Sequence, residues 1–308
     1  MNAIAFGSIN LDLVVGVPHL PQVGETVIGD KFFTALGGKA ANQAVAMAKL
    51  GIPVHLVGRI GADDFGKQVL AGLEAAGVAI NAITINENTH TGIASIVVDE
   101  RGDNAIANAA GANNYLNLDD VQNLSSLLPQ AKVLLIDLGI PLPVISAAVS
   151  AAKVANVTII IDPAPAPKHF PPEIYPQIDI LTPNEIEATQ LVGFPVNDIQ
   201  SVAKAALILR EKGVQNVIIT LGSQGCYCAT PQDSFFIPAI AVTVVDTVAA
   251  GDAFNGALAA AIVSGKSFRE AVQWGTVAGA LSVTKSGAQS SLPDKESFFK
   301  LLVSQENY

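Results

Sequence analysis

Between Lys132 and Thr220 short apolar runs alternate with helix-patterned segments. This alternation restricts the fold more than any other feature of the 308 residues. Lys132–Asp137 reads as a strand and Leu142–Ala155 as a helix. Thr158–Asp162 and Asp179–Leu181 read as strands, Glu185–Leu191 and Ile199–Lys212 as helices, and Asn216–Thr220 as a further strand. Strand–helix alternation implies a three-layer α/β/α fold built on a mostly parallel sheet. Ligands in such folds sit at the carboxyl ends of strands. The chemistry-bearing residues fall at those ends: Asn10 and Asp12, Asp162, Asn184, Thr220–Gly225 and Asp246–Asp252.

Ahead of this region, Ile4–Ile9 and Val54–Gly58 have strand character. A helix opens at Gly37-Gly38-Lys39 and runs to about Leu50, where Gly51 stops it. Asp64–Ala76 is a second helix, ended by Gly77. Leu13–Val15, Glu25–Leu36, Thr91–Asp99 and Asn104–Asn108 alternate between apolar and polar residues. They read as half-exposed strands, the last two joined by a turn at Glu100–Asp103. They interrupt the α/β pattern, so they are expected to meet as a small sheet outside the main domain. Late in the chain a β-rich run ends near Val245, and Ala253–Val263 reads as a helix.

Hydrophobic residues make up 50% and charged residues 14%, a globular composition. The formal charge of −10 disfavours nucleic-acid and membrane partners. Neither a signal peptide nor a membrane-length apolar run is visible. Cys226 and Cys228 would share one strand face as free thiols of a reducing compartment. A soluble cytoplasmic protein is expected. The four histidines, at positions 19, 55, 90 and 169, show neither metal spacing nor a nucleophile partner.

The turn Thr247–Gly251 leaves unpaired amides at a helix start, a ready site for an anion. Asp252 stands among those donors, either as a helix cap or as a base beside the anion. Thr220-Leu221-Gly222-Ser223-Gln224-Gly225 follows a strand and brings backbone amides within reach of phosphate, or is an ordinary turn. It lacks the Lys-Ser/Thr of a Walker loop, and the first strand lacks a Gly-x-Gly-x-x-Gly turn. Asn184, Glu185 and Glu187 open a helix after Pro183, as dipole partners or as carboxylates near Mg2+. Lys39 occupies a helix start, where a cation is disfavoured unless it has an anionic or sugar-oxygen partner. Asn10, Asp12 and Asn42 are short polar groups able to fork onto neighbouring hydroxyls, or to cap turns.

Together these motifs resemble the PfkB-type sugar kinase family over essentially the full length. The likeness is carried by Gly7-Ser8-Ile9-Asn10-x-Asp12, Gly24-Glu25-Thr26, Gly37-Gly38-Lys39-x-Ala41-Asn42-Gln43-Ala44 and Asp162-Pro163-Ala164-Pro165-Ala166. Thr182-Pro183-Asn184-Glu185-x-Glu187, Thr220-Leu221-Gly222-Ser223-x-Gly225 and Asp246-Thr247-x-Ala249-Ala250-Gly251-Asp252-x-Phe254-Asn255-Gly256 complete it. The resemblance implies ATP-dependent phosphorylation of ribose at its 5-hydroxyl. Asp252 would be the base, and Ala249, Ala250 and Gly251 the anion hole. Asn10, Asp12, Gly38, Lys39 and Asn42 would hold the sugar. Asn184, Thr220, Gly222, Ser223, Gly225, Gly251 and Thr276 would line the ATP site, with Glu187 near Mg2+. A monovalent cation, K+, would lie among Asp246, Val248, Ser282, Lys285, Gly287 and Ser291. Residues 1–10, 37–90 and 109–308 would form the core. Residues 11–36 and 91–108 would form a β-sheet lid through which two copies pair as a homodimer.

Two positions depart from the family pattern. Gly139 stands where members acting on ribose commonly carry a sugar-contacting Glu, and Ala40 replaces a usual glycine. The first opens the alternative of another sugar or a nucleoside as substrate. A further alternative is a non-catalytic sugar-binding protein on the same fold.

Overall fold

The computed structural model describes residues 1–306, and its elements follow the alternation read from the sequence. The first part of the chain gives β1 (Asn2–Phe6), β2 (Asn10–Val17), β3 (Lys31–Gly37), α1 (Lys39–Lys49), β4 (Val54–Gly61), α2 (Asp64–Ala75), β5 (Ala79–Asn86), β6 (Gly92–Asp99) and β7 (Asn104–Ala109). The middle gives α3 (Leu118–Leu127), β8 (Ala131–Asp137), α4 (Leu142–Val154), β9 (Thr158–Asp162), β10 (Ile180–Leu181), α5 (Glu185–Val192), α6 (Ile199–Glu211) and β11 (Asn216–Thr220). The last part gives β12 (Gly225–Ala229), β13 (Ser234–Pro238), α7 (Ala250–Val263), α8 (Phe268–Ser282) and α9 (Lys295–Glu306).

Nine strands form the central sheet in the order β13-β12-β11-β10-β9-β8-β1-β4-β5. All neighbours pair in parallel except the antiparallel edge of β11, β12 and β13. Side chains of a strand alternate between faces, so each face builds its own core. Ala3, Ala5, Val133 and Leu135 pack with α1, α2, α7, α8 and α9. Ile4, Phe6, Leu134 and Ile136 pack with α3, α4, α5 and α6. The remaining strands make a separate four-stranded sheet in the order β3-β2-β6-β7.

One close helix contact positions the site. Gly256 lies one turn after Asp252 on α7. A Cβ on Gly256 would stand 2.5 Å from the Ala46 methyl and 2.9 Å from the Gln43 carbonyl oxygen. The missing side chain lets α7 lie against α1, which brings Asp252 to the polar residues of α1. Both helices are rich in alanine at this contact, and Ala253, Ala257 and Ala44 are fully buried.

The structure corrects the sequence reading in places. Residues 239–249 carry no strand, so the apolar run ending at Val245 is a loop. Val244 and Val245 are exposed there, and the Val245 amide bonds to the Val283 carbonyl rather than to a neighbouring strand. The stretch Asp246–Asp252 therefore reaches the site from a loop and not from a strand end. The segment expected at Glu25–Leu36 is strand only from Lys31. The strands β5 and β13 and the helices α3, α8 and α9 were not anticipated. Cys226 and Cys228 are free and buried on β12, as expected. Among the described residues no helix is long and apolar enough to cross a membrane.

Candidate active site

A cleft of about 1090 Å³ lies between the small sheet and the strand ends of the main sheet. Asn10, Asp12, Gly38, Lys39, Asn42, Asp246, Val248, Ala249 and Asp252 all line it. The four-stranded sheet contributes apolar side chains to the opposite wall, among them Val14, Phe33, Ile96 and Ile106.

Asp252 is buried in the first turn of α7 and faces this cleft. It does not cap its helix. One carboxylate oxygen accepts from Asn42 Nδ2 at 2.9 Å and the other from Gln43 Nε2 at 3.1 Å. Burial pushes its carboxyl up from the ordinary range, while Lys39 and the two amide donors oppose that shift. The turn ahead of it is held by Ala249 in a left-handed conformation, φ 59°. The Ala250 amide closes a long 3.3 Å bond onto the Thr247 carbonyl. The amides of Ala249, Gly251 and Asp252 have no acceptor among the described residues. A Cβ on Gly251 would meet nothing within 4 Å, so this helix start opens onto free space.

The start of α1 is built differently. The amides of Lys39, Ala40 and Ala41 go to Ser8 Oγ, Asp137 Oδ2 and the Ser8 carbonyl, at 3.0, 3.0 and 3.3 Å. Asp137 also accepts from the Ser8 amide at 2.8 Å and the Gly139 amide at 2.7 Å. Gly38 has φ 88°, and a Cβ there would collide with backbone atoms of Ser8, Ile9 and Asn10. The buried Asp137 thus locks α1 against the end of β1. Its role was missed in the sequence, although it ends an apolar strand just as Asp162 does.

Four carboxylates act on the charge of Lys39. Burial opposes the charge on half-buried Lys39, but Asp252, Asp162, Asp137 and Glu187 together raise its affinity for the proton above the usual lysine value. Asp12 is pushed up to about 6, by burial first and by the charge of Asp252 second. Asp162 is driven well up by burial, against the pull of Lys39. Gln43 Nε2 bonds Asp162 at 2.7 Å as well as Asp252, so one amide bridges two buried carboxyl groups. Gln43 stood in the quoted motif without a role.

The residues expected at a nucleotide gather beside the cleft rather than in it. Asn184 and Thr220 form an isolated parallel bridge between two chain segments. Gly222, φ 52°, has open space where a Cβ would be, and Ser223 follows it in a short 3-10 turn. Gly225 differs: its Cβ would strike the backbone of Ile237, Pro238 and Ala239, so its glycine serves the close approach of β13. Asn184 and Glu187 make a complete capping box for α5. Both Glu187 oxygens accept from Asn184, at 2.8 and 2.9 Å. Burial raises the Glu187 carboxyl, partly offset by those hydrogen bonds and by Lys39. Thr276 lies on α8, donating to the Val272 carbonyl at 3.0 Å, and is adjacent to Cys226.

Asp246 ties two loops together. Its oxygens accept from the Val248 amide at 3.0 Å and the Gly287 amide at 2.9 Å. Ser282 and Ser291 are buried and spend their hydroxyls on the Gly279 and Ala288 carbonyls. Lys285 follows α8 in the same loop, its amide on the Ser282 carbonyl at 3.2 Å. Gly139 lines the cleft, but a Cβ there would lie 2.8 Å from Asp137 Oδ1 and 3.0 Å from Ser8 Cβ. A larger residue would therefore need Ser8 or Asp137 to move. Ala40 is buried and, apart from its amide bond to Asp137, serves packing.

Comparison with known proteins adds to this geometry. Residues 2–295 match the profile of the pfkB family carbohydrate kinases. A ribokinase from Haemophilus influenzae is 40% identical over 296 residues, covering 96% of each chain. A deoxyribokinase from Salmonella typhi is 32% identical over 302 residues, covering 98% of this chain and 99% of the other. The solved structure of Arabidopsis thaliana ribokinase complexed with ribose and ATP is similar with a TM-score of 0.90, at 34% identity over 98% of both chains.

Proposed function

This chain belongs to the pfkB family of carbohydrate kinases, and we propose that it transfers the γ-phosphoryl group of ATP to the 5-hydroxyl of D-ribose. The observation that carries the reading is Asp252, buried at the cleft wall beside the amides of Ala249 and Gly251, which have no acceptor among the described residues. Asp252 takes the hydroxyl proton as the sugar oxygen bonds to phosphorus and the bridging oxygen leaves with ADP. A carboxylate raised by burial is a better base than an exposed one, and Asn42 and Gln43 hold it in place. The amides of the Ala249-Ala250-Gly251 turn stabilise charge on the moving phosphoryl group. Asn10, Asp12, Gly38, Lys39 and Asn42 bind the sugar, and all of them line the cleft. Asn184, Thr220, Gly222, Ser223, Gly225 and Thr276 form the nucleotide side.

Mg2+ keeps several waters and binds through phosphates with one or two carboxylates. Glu187, close enough to feel the charges of Lys39 and Asp252, would reach it through water, and the ion would neutralise charge on the nucleotide. An oxygen-only set suits K+: Asp246 with backbone oxygens of Val248, Ser282, Lys285, Gly287 and Ser291 would hold it. Residues 11–36 and 91–108 act as a lid that excludes water from the transfer. Exposed Phe32 and Phe33 on that sheet support a homodimer through it. ATP as phosphoryl donor and two free thiols support a reducing, cytoplasmic setting.

Gly139 and the deoxyribokinase relative favour a second reading, a sugar other than ribose. A panel of ribose, deoxyribose, fructose and nucleosides, assayed for ADP release with and without K+, separates the two. The proposal requires the highest kcat/KM for ribose and phosphate on its C5 oxygen by 31P NMR. A different preferred acceptor rejects ribose while leaving the kinase chemistry standing.

A further inference from the structure

We infer that Asn113 is a positioning residue for sugar recognition, which fixes the amide of Asn10 so that it presents an N–H donor to the cleft. The inference rests on the reading of the cleft as a sugar site. It begins with an assignment that the backbone forces. The Ile9 amide can only donate, and it donates to Asn113 Oδ1 at 2.9 Å. The Ile9 carbonyl can only accept, and Asn113 Nδ2 lies 3.2 Å from it. The orientation of the Asn113 amide is therefore settled by two main-chain groups of one residue.

Asn113 Nδ2 then lies 2.8 Å from the side chain of Asn10, so the facing atom must be Asn10 Oδ1. The other end of Asn10, its Nδ2, has no partner among the described residues, and Asn10 lines the cleft. Asn42 shows the opposite arrangement. Its Nδ2 is held by Asp252, and its Oδ1 is buried without a partner. The cleft thus offers a fixed donor at Asn10, while the Asn42 acceptor lies beneath its surface. A polyol hydroxyl both donates and accepts, so a sugar oxygen can accept from that donor. Left alone, an Asn amide can turn about its last torsion and present either group; Asn113 removes that freedom before the sugar arrives.

The same contact joins recognition to the small sheet. Gly92, the first residue of β6, is packed so that a Cβ would run into Asn10 Oδ1 and Asn113 Nδ2. Asn10 pairs with Gly37 and Gly92 where β2 leaves the main domain. Asn113, buried and anchored to β1's end, therefore fixes Asn10 at the root of that sheet.

The test is a double-mutant cycle on purified protein with Asn113→Asp, Asn10→Ala and their combination. Asn113→Asp keeps the acceptor for the Ile9 amide and loses the donor to Asn10. It should raise the sugar KM by about ten-fold, the scale of one misplaced hydrogen bond, with kcat and the ATP KM changed less than two-fold. In the Asn10→Ala background the same substitution should add less than two-fold, because its route to the sugar is gone. Asn113→Ser, likewise unable to hold Asn10, repeats the measurement if the buried carboxylate prevents folding, and thermal unfolding reports on each variant. Effects that multiply across the cycle, or equal losses in kcat and both KM values, would show a merely structural role and overturn the inference. If the wild type takes a different sugar of the panel, the ribose assignment fails separately, and the cycle on the accepted sugar still decides the role of Asn113.

Discussion

Two helix starts face one cleft, and they are prepared for opposite tasks. At α1 the amides of Lys39, Ala40 and Ala41 are already occupied by Ser8 and Asp137, so the helix can offer only side chains: Lys39, Asn42 and, behind them, Gln43. At α7 the amides of Gly251 and Asp252 are open, and the residues around them are small. Both helices carry the positive end of a dipole. Only one can use its backbone on an anion, because the other has spent its donors on Ser8 and a buried carboxylate. The comparison shows that a glycine-rich helix start is not by itself an anion site; what the first turn is bonded to decides it.

The largest expected effect comes from breaking the α1 side of this contrast. Asp137→Ala leaves the amides of Ser8, Ala40 and Gly139 without their acceptor in a closed interior. Stability should fall by about 3–5 kcal/mol, read by urea unfolding, and sugar binding should fall with it as Lys39 and Asn42 lose their mounting. A loss below about 1 kcal/mol would mean that α1 does not depend on that carboxylate.

A smaller effect sharpens the comparison at Asp12, whose carboxylate lies over Gly37 just ahead of α1 and feels the charge of Asp252. The Asp12 pKa in the fold is about 6 against an ordinary 3.8. Between those values the native state binds more protons than the unfolded chain, so stability falls as pH rises through the window and stays lower above it. Asp12→Asn removes that cost. It should raise Tm at pH 7, by up to about 3 kcal/mol in stability, and leave stability near pH 4 little changed. The sugar KM at pH 7 should rise about ten-fold, and the rise in KM expected of the parent protein below pH 6 should be absent from the variant. An unchanged Tm at pH 7 would remove the repulsion from the account.

Much of the architecture was legible in the sequence because burial writes itself as pattern. Leu134-Leu135-Ile136-Asp137 and Ile159-Ile160-Ile161-Asp162 are apolar on both faces and end in a carboxylate, as a central parallel strand does. The run Ala239–Val245 carries the same residue types with no strand beside it, so composition alone pointed to a strand that does not form. In the site, the residues exposed to the cleft were recognisable from their motifs. The buried ones that orient them were not. Asn113 is one of two asparagines in Gly111-Ala112-Asn113-Asn114, and only the fold brings it to Ile9 and Asn10. Asn184 and Glu187 illustrate the converse: read as helix-dipole partners or as metal neighbours, they form a complete capping box that the sequence reading did not name.

The account stands on the carboxylate at the start of α7, and Asp252→Asn tests it with the shape of the site retained. Single-turnover phosphoryl transfer with ribose and ATP should slow by about 10²–10⁴-fold, with nucleotide binding and the unfolding midpoint within error of the parent or slightly higher. Transfer within ten-fold of the parent rate would contradict it, and would place the base elsewhere in the cleft.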